Sequence, residues 1–243
     1  MHSFDEPSEL SLSDRYAGEL FKATPPQPIH YPIQHVEIDW EYVRAGRKEI
    51  LDTVEEMPAY LLHPEVRNLI AFAKENQKLL LELLWATGAR VSELLALTPE
   101  RYYFNGYRQF IVLDTLKRRG RPKKKAIQRS PKRYIPICDE VLSQKIRSFL
   151  AINKFRKGER IFKVQRQTVN RWIKACAEKG GGAPFSISSH TFRHSFAIHL
   201  LLHGRPLKYV SKLLGHSSVK STEIYNNVLT FDGAHLMEGI DFH

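Results

Sequence analysis

Between residues 188 and 225, apolar residues recur at helical spacing, and glycine or proline repeatedly cuts the run short. Phe192, Phe196, Leu200 and Leu201 form one buried stripe, which Gly204 and Pro206 end. Leu207, Val210, Leu213 and Leu214 carry the next helix, and Gly215 stops it. Thr222, Ile224 and Tyr225 lie on a further short helix, begun near Ser217 or Ser218. Set into these stripes are groups suited to phosphate chemistry. His190 and Arg193 are three apart and share a face near a helix start. His216 directly follows Gly215, and Tyr225 comes after it.

Upstream, a helix is expected over residues 36–54, with Trp40, Val43 and Leu51 as core contacts. Pro64 suits a first helical turn, and Glu65 is favourable at that positive end. Residues 79–85 read as a strongly apolar buried helix ended by Thr87-Gly88, and residues 90–97 begin another. Two strands come next, at 109–113 and 133–137. Residues 117–133, between and into them, hold 10 Lys/Arg and no acid. Asp139 is a cap for the next helix, and a helix over 168–179 runs into Gly180-Gly181-Gly182. The expected fold class is mostly α with a small antiparallel β-sheet.

The 243 residues suffice for one full domain plus an appendage. No apolar run approaches the ~20 residues of a membrane span, and no secretory pattern is visible. Cys138 and Cys176 form no metal-type pair, so no metal or cofactor is expected and a reducing cytoplasm fits. Net charge is +11. Residues 1–57 hold 5 Lys/Arg against 12 Asp/Glu, a balance of −7, which leaves +18 for the rest. A polyanion such as nucleic acid is the partner this implies for the later part. Residues 1–57 are accordingly expected as a short acidic N-terminal segment and 58–243 as the catalytic domain.

Three separate motifs occur in order. They are Ala86-Thr-Gly-Ala-Arg90-Val-Ser-Glu93, then His190-Thr-Phe-Arg193-His, then Leu213-Leu-Gly-His216-Ser-Ser with Tyr225 nine residues beyond His216. Together they resemble the tyrosine recombinases of the phage integrase family, over most of the chain. The resemblance implies that family's catalytic-domain fold. Family members usually carry a larger N-terminal clamp, and residues 1–57 are shorter and acidic. It also implies a roster of roles. Tyr225 attacks, Arg90 and Arg193 grip the scissile phosphate, His190 aids proton transfer, and His216 donates to a phosphate oxygen. Lys117 best matches the hairpin lysine that protonates the leaving 5′-oxygen, with Lys123, Lys124 and Lys125 as rivals. Glu93 orients Arg90. Four protomers on two double-stranded DNA sites, and a C-terminal segment at 226–243 packed into a neighbouring protomer, are implied as well. The location implied is cytoplasmic, on nucleoid or plasmid.

The chemistry agrees. A phosphodiester repels nucleophiles and leaves as a strong base, so it needs a nucleophile, fixed cations and an acid. Arginine's planar fork donates two hydrogen bonds and stays charged. A phenol with a pKa near 10 needs a base or a positive field to attack at neutral pH. His194, His199 and His203 are expected on exposed or packing faces. In the basic loop, Arg118, Arg119, Arg121, Lys123, Lys124 and Lys125 are expected to touch DNA. Arg119-Gly-Arg-Pro122 resembles an AT-hook core for a narrow minor groove, while a solvated loop touching phosphates is the plainer alternative. The resemblance implies a site-specific recombinase that cuts and rejoins DNA through a covalent 3′-phosphotyrosyl link, resolving plasmid multimers or integrating or excising a mobile element. A non-catalytic DNA-binding role and a type IB topoisomerase activity are the alternatives.

Overall fold

The computed structural model describes residues 36–106, 108–115, 132–237 and 241. From residue 36 on they form one compact unit. Helix α1 is Trp40–Thr53, opened by Asp39, whose carboxylate accepts from the Glu41 and Tyr42 amides at 3.0 Å each. Val43, Arg47 and Ile50 are its buried residues, with Trp40 and Leu51 half-buried. Arg47 crosses to the next helix, α2 (His63–Ala71), and donates to both Glu65 oxygens at 2.5 and 2.8 Å. Residues 36–57 thus share a core with the helices after them, and the boundary drawn at 57 falls inside this unit.

Helix α3 (Glu75–Thr87) buries Leu80, Leu81, Leu83 and Leu84. Gly88 ends it at φ +58. A Cβ there would lie 2.2 Å from the Phe196 ring, so the left-handed turn and the close approach both require glycine. Helix α4 is Val91–Leu95.

The sheet comes next, as strands β1 (Tyr102–Phe104), β2 (Gln109–Asp114) and β3 (Lys132–Pro136) in the order β1-β2-β3, all antiparallel. Ile111 pairs with Ile135 and Leu113 with Arg133. Ile111, Leu113, Arg133 and Ile135 are all buried, so one face of the hairpin turns into the core. Both expected strands are present, and β1 is an addition.

Asp139 caps α5 (Glu140–Asn153) as expected, and α6 is Arg166–Lys179. The core helix is α7 (Ser189–Leu202), with Phe192, Ala197, Ile198 and Leu202 at 1% exposure or less. It packs on α3 and on α8 (Leu207–Leu214). The expected single helix through Tyr225 is instead two pieces, α9 (Lys220–Glu223) and α10 (Asn226–Asp232), with Tyr225 at the junction. Helix α10 packs on α1 and α7 of its own chain. That is where the described residues of the C-terminal segment lie, beside their own core. Among the described residues no helix is long and apolar enough to cross a membrane.

Candidate active site

The site assembles where four chain segments meet. Arg90 stands just before α4, and Glu93 folds back onto it. One Glu93 oxygen accepts from the Arg90 amide at 2.8 Å, and the other from Arg90 Nη1 at 3.0 Å. The pairing expected of Glu93 is therefore present. Its side chain is fully buried, whereas that of Arg90 is one-third exposed. The arginine keeps an open side and the carboxylate does not.

Arg193, on α7, is 4% exposed. It donates to the carbonyl of Gly88 at 2.8 Å and to the carbonyl of Leu214 at 2.6 Å. Those carbonyls sit two residues before Arg90 and two before His216. Burial first, and then the neighbouring Arg90 and Arg133, bring the Arg193 pKa down to about 10, which still leaves it cationic at neutral pH. His216 Nδ1 lies 2.7 Å from the buried Thr222 hydroxyl. Burial, followed by Arg193, Arg90 and Arg133, pulls the His216 pKa down to about 4. Neutral imidazole results, and with Nδ1 accepting from Thr222 the ring presents an Nε2 hydrogen for donation. His190 stands exposed at the start of α7. Its pKa is lowered by partial enclosure and then by Arg166, Arg193 and Arg90.

Tyr225 is 3% exposed, and its hydroxyl meets His194 Nδ1 at 2.7 Å. Burial raises the phenol pKa, and Arg193 opposes it. Arg90, Glu93, His190, Arg193, His216 and Tyr225 are thus brought into one neighbourhood. Lys117, Arg118, Arg119, Arg121, Lys123, Lys124 and Lys125 lie outside the described residues. Among the described residues no cluster of His, Cys, Asp or Glu could hold a metal ion.

Residues 59–230 match the phage integrase family. A resolvase of Escherichia coli is 35% identical over 234 residues, which are 86% of this chain and 90% of that protein. The chain belongs to the phage integrase family. That family is the tyrosine-type site-specific recombinases, and other members match as well. Tyrosine recombinase XerD of Rhizobium meliloti is 36% identical over 157 residues, covering 65% of this chain and 49% of the relative. In fold, this recombinase is similar to XerH, solved bound to difH substrate in a post-cleavage complex. The TM-score is 0.61 at 18% identity, over 75% of this chain and 52% of that one. The chain therefore spans about half of XerH. The catalytic domain of bacteriophage HP1 integrase aligns at TM-score 0.51 over 95% of its length, with 22% identity.

Three participants lie outside the expected set of catalytic residues. Arg133 on β3 is 7% exposed and donates to Glu93 at 2.6 Å and to the Leu214 carbonyl. In sequence it closes the basic run, although strand alternation places it on the inward face with Ile135. His194, expected on a packing or exposed face, instead holds Tyr225. Its adjacency to Arg193 was the available signal. Thr222 supports His216, and nothing in its spacing marks it. His199 and His203 do pack, among Trp40, His63 and Trp85.

Proposed function

We propose that this recombinase cuts and rejoins DNA at a specific site through a covalent 3′-phosphotyrosyl link, with Tyr225 as nucleophile. The observation that carries the reading is the shared framework of Arg90 and Arg193. Arg193 bonds the Gly88 carbonyl beside Arg90 and the Leu214 carbonyl beside His216, and Tyr225 feels its charge. A phosphate gripped by both guanidinium groups gains two charge-assisted forks in a partly enclosed site. His216 donates from Nε2 as charge builds on the phosphate, and His190 aids proton transfer. Lys117 donates to the leaving 5′-oxygen, and the basic residues Arg118, Arg119, Arg121, Lys123, Lys124 and Lys125 touch DNA. The phosphotyrosyl link keeps the phosphodiester energy, so a second 5′-hydroxyl can rejoin without a cofactor.

The resolvase names among the relatives support a role in resolving plasmid multimers or in integrating or excising a mobile element. Four protomers act on two paired sites, in the cytoplasm on nucleoid or plasmid. The test is to mix the protein with a labelled library of nicked duplexes and count covalent adducts after denaturation. A sequence-selective adduct that Tyr225→Phe abolishes is the expected result. Tight binding with no adduct would replace this reading with a non-catalytic DNA-binding role, and adducts without sequence choice would favour topoisomerase-like relaxation.

A further inference from the structure

In the proposed reaction Tyr225 must lose its hydroxyl proton while forming a bond to phosphorus. The group in contact with that hydroxyl is His194 Nδ1, at 2.7 Å, with ring centroids 5.8 Å apart and tilted by 54°. His190 is exposed one turn earlier, its ring 6.4 Å from that of His194. A phenol that donates to Nδ1 needs the tautomer with a bare Nδ1 and its hydrogen on Nε2. Such an imidazole is neutral and free to take a proton. We propose that His194 is the general base for Tyr225, and that the scissile phosphate itself arms it. The inference rests on Tyr225 being the nucleophile.

The electrostatics supply the arming. Burial first, then His190 and Arg193, hold the His194 pKa down to about 4. His216 faces the same group from the end of α8. Without DNA the pair is therefore idle, a protonated phenol against a weak base. A phosphate seated on Arg90 and Arg193 offsets the cationic field and raises the proton affinity of His194. The proton then passes from Oη to Nδ1 as the Oη–P bond forms and the P–O5′ bond breaks. The leaving oxygen takes its proton from an ammonium donor on the DNA side. Rejoining reverses each step, and imidazolium His194 returns the proton to the departing phenolate. No step needs an oxidant or a metal.

Single-turnover adduct formation on a nicked duplex tests this, from pH 5 to 9, with wild type, His194→Asn and Tyr225→Phe. Asparagine keeps a hydrogen-bond acceptor near Nδ1 but takes no proton. The Asn variant should be slower by about 10²-fold or more, in the range of general acid–base effects, with DNA affinity and melting temperature held. The second substrate carries sulfur at the bridging 5′ position, a leaving group that needs no proton. The Asn deficit should persist on it, and so should the acid limb of the wild-type rate. That wild-type comparison needs no folded variant. Loss of the limb on sulfur, or an Asn variant within about threefold of wild type, overturns the proposal while the Tyr225 adduct stands. A wild type that forms no Tyr225 adduct overturns the proposed function, and this inference with it.

Discussion

His199 is enclosed by Trp40, Trp85, His63 and His203, and its Nδ1 has no hydrogen-bond partner among the described residues. Burial first, then His203 and His63, push its pKa down to about 3. The unfolded chain protonates it near pH 6.5, but the folded chain keeps it neutral until far lower. The unfolded state therefore binds more protons between those values. Stability from this group is complete above about pH 6.5 and declines as pH falls, by up to about 1.4 kcal/mol per pH unit. His199→Phe keeps a ring between the tryptophans and removes the titration. Denaturant unfolding should show wild type losing stability to the variant steadily from pH 6.5 to pH 4. Parallel curves would show that the ring does not titrate in this way. Asp232 acts in the opposite sense, since burial raises its carboxyl to about 6, and it is common to both proteins.

At the scale of elements, the Leu214 carbonyl at the end of α8 accepts from Arg133 of β3 and Arg193 of α7 together. Gly215 beside it has φ +66, and a Cβ there would come within 2.1 Å of Arg133 Nη1. Arg133 thus ties the hairpin to Glu93 on α4 and to the turn that presents His216. Arg133→Met leaves a buried carboxylate with one cation fewer, so it should destabilise by about 3–5 kcal/mol. It should also slow Tyr225 adduct formation more than tenfold, because Arg90 and His216 lose a common support. Arg133→Lys restores charge but cannot span both acceptors, so it should recover stability more than rate. A folded Arg133→Met protein with wild-type cleavage would refute the positioning role. The sequence showed these elements unevenly, for physical reasons. Residues 79–85 and the strands at 109–113 and 133–137 carry periodicity that burial enforces. Strand β1 is three residues long, too short for a pattern. Glu93 was legible because i,i+3 spacing on a helix is local. Arg133 and His194 act across the fold, and no local spacing encodes a partner 40 or 31 residues away.

Across the whole molecule, charge and packing divide the chain differently. Residues 1–57 carry −7 and the remainder +18, which suggests a break near residue 57. Burial places α1 in the catalytic unit instead, because Ile50 is fully buried, Val43 is 2% exposed and Arg47 is locked on Glu65. Helix α10, which begins directly after Tyr225, rests on α1 and α7. Helix α1, in which Glu41, Glu49 and Asp52 are balanced by Arg44, Arg47 and Lys48, therefore belongs to the bed on which the segment after Tyr225 rests. Ile50→Ala should cost about 2–5 kcal/mol, the usual result of a cavity in a close-packed core. Glu49→Ala, on the exposed side of the same helix, should change stability by no more than about 0.5 kcal/mol. If Ile50→Ala proves as mild as Glu49→Ala, α1 is an appendage after all. If the gap appears, and the Ile50 variant also forms Tyr225 adducts more slowly at a temperature where it is folded, then residues before 58 hold the nucleophile in place.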